Sequence, residues 1–336
     1  MSNKFITLDH GSGGKISHSL ITGTLLPLFD NPALSRLDDG AILDINGLRI
    51  AFSTDSYTVD PLFFPGGDIG ELAVNGTVND VSMCGAMPLF LSSGVIVEEG
   101  FPMRDLERIL GSMKQAAERA GVKIVTGDTK VVPRGGVDRL FINTSGIGLV
   151  PEGVDVSGSN AVPGDRIILS GCIADHGITI LTKRENMSFD SPVKSDTAPL
   201  NNMVKRIIDT GSNIHVLRDP TRGGVGTTLN EIAISSRVGI MIQEDKIPVR
   251  DSTRGICELL GFDPLYMANE GKLMAFVPEA AADKVLSVIR AYEYGADAAV
   301  IGEVVADNPG MVYMKTAIGG ERIVDMLTGE QLPRIC

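Results

Sequence analysis

The sequence predicts two α/β domains in series followed by a short C-terminal tail. Three observations carry this. The 336 residues exceed one ordinary domain of roughly 100–200 residues and suit two. Hydrophobic residues make up 43 % and charged residues 21 %, a globular composition able to fill two cores. Short apolar runs of strand length alternate with longer runs of helical period in both halves.

In the first half, Leu48 to Thr54 reads as a strand ending at Asp55. Glu71 to Gly85 reads as a helix after the loop PGGDIG, and Leu89 to Val97 as a strand. Met103 to Ala120 is the clearest helix. Leu106, Ile109, Leu110, Met113, Ala117 and Ala120 keep one face apolar, and Gly121 supplies a stop. Lys123 to Thr126 and Leu140 to Val150 read as strands. A stretch poor in large apolar residues, Pro151 to Pro163, suggests a boundary. It divides the chain into residues 1–155, residues 156–330 and a tail of residues 331–336. The second half repeats the style. Strands are expected at Arg166 to Ser170, Lys272 to Val277, Ala298 to Val304 and Met311 to Lys315. Helices are expected at Pro199 to Thr210, Thr227 to Arg237 and Pro278 to Tyr294. Strand order does not say whether the sheets are parallel.

The formal charge of −12 repels phosphate backbones and anionic lipid. Nucleic-acid and membrane-surface binding are therefore not expected. No apolar run approaches the roughly 18–20 residues of a membrane span, and the first residues lack a signal-peptide core, so a cytoplasmic protein is expected. Cysteines stand at 84, 172, 257 and 336 with no CxxC pair, which predicts free thiols.

Asp38, Asp39, Asp55, Asp80 and Asp128 fall at expected loop ends beside glycine or threonine turns. Each alone reads as a turn or helix cap. Together they are hard oxygen donors of the kind magnesium takes alongside nucleotide phosphates. The run His10-Gly11-Ser12-Gly13-Gly14-Lys15 is either a phosphate cradle or a mobile arm, and it is neither a Walker A loop nor a dinucleotide fingerprint. Asp219, followed by Pro and Thr before the glycine pair of RDPTRGG, belongs to a helix-entry sequence, and helix starts bind anions. Lys130 and Glu270 stand in glycine-bearing loops, as surface charges or as site groups if the site lies between the domains. His176 in DHG reads equally as a turn residue or a functional one, and no His/Cys cluster supports zinc. The chain ends in Leu332-Pro333-Arg334-Ile335-Cys336. A thiol there is expected to be fully reachable, with a pKa near the free value of ~8.5. Otherwise it is an incidental surface cysteine.

The run TDSYTVDPLFFPGGDIGELAVNGTVNDVSMCGAMP resembles the ATP-binding signature of the PurM-like superfamily. With HGSGGK, GDTKVVPRG, RDPTRGGV, NEGK and the terminal PRIC, the whole chain resembles the HypE family within it, the carbamoyl dehydratases of hydrogenase maturation. The resemblance implies a PurM-like α/β (α+β) fold of two domains with a mobile tail, a homodimer through the N-terminal domain, and ATP with Mg²⁺ in the cleft. It implies nucleotide contacts from Gly11, Gly13, Gly14, Lys15, Asp55, Asn79, Asp80, Gly127, Asp128 and Asp219. It implies metal contacts from Asp38, Asp39, Asp55, Asp80 and Asp128. It also implies a reaction. A HypF-type carbamoyltransferase loads Cys336, and ATP phosphorylates the carboxamide oxygen. Proton loss with Glu270 and Lys130 as catalytic groups leaves an S-cyano group. A HypC–HypD-type complex takes the cyanide for the iron of [NiFe]-hydrogenase. Two other classes remain open: a PurM-like kinase or synthetase of a free small molecule, for which Cys336 is dispensable, and a non-catalytic thiol carrier.

Overall fold

The structure, a computed structural model, describes residues 5–190, 193–329, 332 and 334–336. Residues 1–4, 330, 331 and Pro333 of the expected arm and tail lie outside the described residues.

The N-terminal half opens with two short helices, α1 (Lys15–Leu20) and α2 (Leu26–Phe29), joined by a π-type turn. Then follow β1 (Ala41–Ile45), β2 (Leu48–Tyr57), a hairpin of β3 (Phe63–Phe64) and β4 (Gly67–Asp68), α3 (Ile69–Met83), β5 (Met87–Glu98), α4 (Met103–Ala120), β6 (Lys123–Val132) and β7 (Leu140–Leu149). The α4 range agrees with its apolar spacing. Gly121 ends it at φ 72°, a left-handed stop that glycine adopts without strain. Asp68 caps α3 by accepting from the Gly70 and Glu71 N–H groups.

The five long strands form one sheet in the order β1-β2-β7-β5-β6. Only β5 and β6 are parallel. Helices α3 and α4 cover one face, where Tyr57, Leu72, Val78, Leu91, Ile109 and Ile142 make the core. The other face is bare. Phe52, Ile147 and Phe90 are opposite one another across β2, β7 and β5 and form an exposed apolar row.

The C-terminal half comprises β8 (Asp165–Leu169), α5 (Asp175–Arg184), α6 (Asn201–Ile208), β9 (Val216–Arg218), α7 (Gly224–Ser236), β10 (Gly239–Gln243), α8 (Asp251–Leu260), β11 (Met274–Pro278), α9 (Glu279–Arg290), β12 (Ala299–Val305), β13 (Val312–Lys315) and β14 (Glu321–Ile323). Its seven-stranded sheet has the order β14-β13-β10-β12-β8-β11-β9. The apolar runs of β8 and β11 are buried on both faces, between the cores built on α7 and on α6 with α9. Among the described residues no helix is long and apolar enough to cross a membrane.

The two halves are pinned at main-chain level. The Asn79 side chain on α3 donates to Ala198 O at 3.1 Å and Glu270 O at 3.3 Å, and accepts from the Leu200 N–H at 2.8 Å. The Asp38 carboxylate accepts from Ser157 Oγ and from the Gly158 N–H at 2.8 Å, and pairs with Arg36 at 3.0 Å.

The expected loop positions of Asp55, Asp80, Asp128 and Lys130 are corrected. Asp80 lies inside α3, and the other three lie inside strands, because β2 and β6 run past the turns read from their glycines and threonines. The β6 ladder continues through Gly127 opposite Ser93 to Val132 opposite Glu98.

Candidate functional site

The tail lies in the cleft between the two halves, held chiefly by its backbone. The Thr58 N–H donates to Cys336 O at 2.8 Å and the Asp60 N–H to Arg334 O at 3.1 Å. Arg184 donates to the same Arg334 carbonyl at 2.8 Å, and His176 Nε2 to Ile335 O at 2.7 Å. Arg334 Nε returns a bond to Thr58 O at 2.9 Å, and its guanidinium pairs with Asp138. Ile335 and Cys336 join the N-terminal core, while Leu332 packs where that core meets the one around α5 and α8.

Cys336 is only 6 % exposed, so the expectation of a fully reachable thiol is corrected. Arg222 Nη1 donates to Cys336 Sγ at 2.9 Å. Burial nevertheless pushes the thiol up to about 12, against the opposing pull of Arg222 and with the help of Glu270 and Asp55. The expected value near that of a free thiol is corrected for the same reason: the low dielectric disfavours the thiolate more than one guanidinium favours it. Arg222 in turn is held charged by Cys336, Asp55 and Glu270.

Glu270 is buried, and among the described residues its Oε1 has no hydrogen-bond partner. Its own N–H donates to Asp196 Oδ1 at 3.0 Å, and Asp196 pairs with Lys272 at 3.2 Å. The preceding Asn269 accepts from the Ala174 N–H and donates to Pro220 O. Gly271 must lack a side chain, since a Cβ there meets Asp196 O at 1.9 Å. The sequence NEGK is thus a rigid mount for one carboxyl group. Burial pushes that group well above the usual range, helped by Asp196, Asp219 and Asp55 and opposed by Arg222.

Asp39, Asp80 and Asp219 gather beside Asp55. Burial raises all three, and their mutual repulsion raises Asp80 further. Asp219 is pushed up to about 6 by burial, with Arg218 opposing. Asp39 pairs with Arg218 at 2.9 Å, yet among the described residues its Oδ2 has no hydrogen-bond partner. Ser53 ties the group together, donating to Asp39 O and Asp80 Oδ2 at 2.9 Å. Among the described residues no three His, Cys, Asp or Glu side chains form a ready metal cage. Buried, mutually repelling carboxylates with an unpartnered oxygen suit a hard cation that takes its other ligands from a phosphate chain.

Other sequence candidates fall elsewhere. Asp38 and Asn79 are engaged at the junction of the halves, as given above. Asp128 and Lys130 pair at 2.7 Å on the exposed face of β6. Strand register sets them opposite to Asp55: Asp55 aligns with buried Thr144 on the covered face, whereas Asp128 aligns with Gly94 and Asn143 on the bare one. One chain therefore does not bring Lys130 to Glu270. Gly127 lies against Ser93 O, where a Cβ would stand 2.2 Å away.

The glycine run covers the thiol. Gly13, at φ +77°, approaches Arg222 so closely that a Cβ would stand 2.9 Å from its carbonyl, and at Gly14 one would stand 2.2 Å from Leu327 O. Lys15 is engaged with Asp325 at 2.9 Å. Under this cover a cavity of about 190 Å³, lined by Gly11, Ser12, Thr58, Arg222, Gly223 and Cys336 among others, opens at the sulfur. A small group on the sulfur fits such a space; a nucleotide needs the neighbouring carboxylate region as well. Sequence reasoning gives Arg222, Arg184 and Thr58 no role, and leaves His176 only as an even choice between turn and function. Arg222 alone had a signal, as the second arginine of RDPTRGG beside two left-handed glycines.

Residues 37–150 match the family model of the AIR synthase related protein N-terminal domain, and residues 162–315 that of its C-terminal domain. Carbamoyl dehydratase HypE of Rhizobium leguminosarum bv. viciae is 52 % identical over 337 residues, which cover 100 % of this chain and 96 % of that protein. A crystal structure of a HypE–HypF complex contains a similar chain, with TM-score 0.88 and 51 % identity over 92 % of this chain and 100 % of that one. A hydrogenase maturation protein HypE solved with ATP is similar at TM-score 0.84 and 54 % identity, over 99 % of this chain and 100 % of that one.

The raised Glu270 has a consequence for stability. A carboxyl whose folded pKa lies above its unfolded value near ~4.3 destabilises the fold wherever it must ionise, so its penalty grows as pH rises. Glu270→Gln removes the penalty. Urea unfolding at pH 8 is expected to show a higher midpoint for Glu270→Gln than for wild type, with the difference vanishing at about pH 4. A lower midpoint for the variant at pH 8 would contradict the assignment.

Proposed function

The chain belongs to the HypE family of carbamoyl dehydratases, within the AIR synthase related proteins, and on that basis we propose how its own residues carry out the ATP-dependent step of hydrogenase maturation. The enzyme dehydrates a carbamoyl group to a cyano group with ATP. The observation that carries the residue-level reading is the buried Cys336 sulfur, bonded to Arg222 and sharing a charge environment with the unpartnered Glu270.

A HypF-type partner places the carbamoyl group on the Cys336 sulfur while the tail is undocked, since the docked thiol is enclosed. Docking then returns the S-carbamoyl group to the cavity under the glycine run. The carboxamide oxygen attacks the γ-phosphorus of ATP; the O–P bond forms, ADP leaves, and the nitrogen gives up one proton. The second proton leaves the nitrogen as the C–O bond breaks, releasing phosphate and an S-cyano group. The sum is S-carbamoyl plus ATP to S-cyano, ADP, phosphate and one proton. Glu270 takes a proton from the nitrogen: once ionised, its burial and its free Oε1 make it a strong, directed base. Arg222 holds the sulfur and offsets the charge of Asp55 and Glu270. Asp39, Asp55, Asp80 and Asp219 would hold Mg²⁺ with the nucleotide phosphates, and the ion neutralises charge during phosphoryl transfer. A HypC–HypD-type complex receives the cyano group.

The bare face of the N-terminal sheet, with Phe52, Phe90 and Ile147 exposed in a row, fits a second copy of the chain. In such a homodimer Lys130 and Asp128 serve the cleft of the partner, the arrangement that reconciles their roles in the family resemblance with their position on β6.

Intact-mass spectrometry tests the reaction. Wild type incubated with a HypF-type partner, carbamoyl phosphate and Mg-ATP gains a carbamoyl mass that then falls by one water. Cys336→Ala gains nothing. Glu270→Gln binds ATP and accumulates the carbamoyl form, with the loss of water slowed by about 10²–10⁴-fold. An adduct that survives Cys336→Ala, or normal dehydration by Glu270→Gln, overturns the assignment. Mixing Lys130→Ala and Cys336→Ala chains tests the shared site. Each alone is inactive, and exchange into mixed dimers restores about a quarter of wild-type activity per chain, because one site in each mixed dimer is intact. No recovery after exchange means that Lys130 does not serve the partner.

A further inference from the structure

His176 is buried on α5, distant in sequence from the tail it touches. A carbonyl only accepts, so the 2.7 Å contact to Ile335 O requires a proton on Nε2. Nδ1 then accepts from the Ser195 hydroxyl at 2.8 Å, and Ser195 Oγ in turn accepts from the Thr197 N–H at 3.2 Å. The Ser195 N–H is fixed to Pro65 O at 2.9 Å. Phe64 packs edge-on to the ring at 5.7 Å. Each neighbour therefore sets either the tautomer or the orientation of this imidazole, and the single outcome is a donor aimed at the carbonyl one residue before Cys336.

The next residue, Asp196, holds the Glu270 N–H. Ser195 and Asp196 thus orient, side by side, the group that holds the tail and the backbone of the residue whose charge acts on the thiol. We propose that His176 is a positioning residue for the reaction: it latches the tail by its main chain and so fixes the depth of the Cys336 sulfur against Arg222. A main-chain latch is indifferent to what the sulfur carries. The same contact serves the free thiol, the carbamoyl form and the cyano form.

The proposal rests on the docked tail being the reacting state, but its test needs neither ATP nor a partner protein. Alkylation of the purified chain by iodoacetamide, mapped by peptide, reads all four cysteines at once. Cys84, Cys172 and Cys257 are buried and free; Cys84 and Cys257 are remote in sequence from His176 and report general loosening, while Cys172, four residues before it, reports loosening local to α5. In His176→Ala the Cys336 rate is expected to rise about tenfold, the value of one lost hydrogen bond, with the other three unchanged. His176→Gln, which keeps a donor, recovers part of the protection. Ser195→Ala, which leaves the ring but frees its tautomer, gives a smaller increase than His176→Ala. Unchanged protection of Cys336 in folded His176→Ala overturns the latch. So does a parallel rise at all four cysteines, which marks His176 as a core residue only. If His176→Ala exposes Cys336 while wild type shows no ATP-dependent loss of water, the latch stands and the dehydratase reading fails.

Discussion

Three carbonyl oxygens at the end of the chain, those of Arg334, Ile335 and Cys336, accept hydrogen bonds from both halves of the molecule. Thr58 and Asp60 donate from the N-terminal half, and His176 and Arg184 from the C-terminal half. The positions of the sulfur, of Arg222 and of the cavity at the sulfur all depend on this capture. Each bond contributes about 1 kcal/mol net, and ordering the tail costs about 1–2 kcal/mol per residue in backbone freedom. The two are of similar size, so docking is reversible by construction. That would suit the proposed cycle, in which the tail leaves the cleft to be loaded and returns to react.

The electrostatics of the cleft follow from the same enclosure. Four buried or half-buried aspartates and Glu270 face two arginines, Arg218 and Arg222. Burial, with acid outweighing base, raises Asp39, Asp80, Asp219 and Glu270, and these raised carboxyls work against the fold. On the proposed reading, a divalent cation held by these carboxylates would relieve that imbalance and accept the nucleotide phosphates. The thiol is protected for the same reason: the low dielectric that makes Glu270 a strong base makes Cys336 a poor thiolate until it swings out.

Much of the fold was legible because it rests on local signals. The α4 period and its Gly121 stop set both ends of that helix, and the motif NEGK marked the mount of Glu270. The strands at Asp55 and Asp128 were misjudged because glycine and threonine inside β2 and β6 resemble turn residues, and only the ladder with β7 and β5 overrides them. The short strand β1, the helices α5 and α8 and the buried strand β10 were missed, since their runs are short or lack a clean period. In the site, Cys336, Glu270 and the aspartates carried sequence signals. Thr58 did not, and His176 offered only an even choice between turn and function, because their role is to meet a backbone from a remote part of the chain, and no composition or spacing records such a meeting. The docked, buried state of Cys336 was invisible for the same reason: the six-residue tail has few apolar side chains, and its grip is made by carbonyls that every residue possesses.

Hydrogen exchange at Thr58 and Asp60 tests the main-chain capture most directly. Both amides donate to tail carbonyls, and a chain ending at residue 330 removes these acceptors together with the rest of the docked tail. The account predicts that these two amides are protected in the full chain and exchange much faster in the shortened one, with the neighbouring β2 amides unchanged. Equal exchange at Thr58 and Asp60 in the two chains would contradict it.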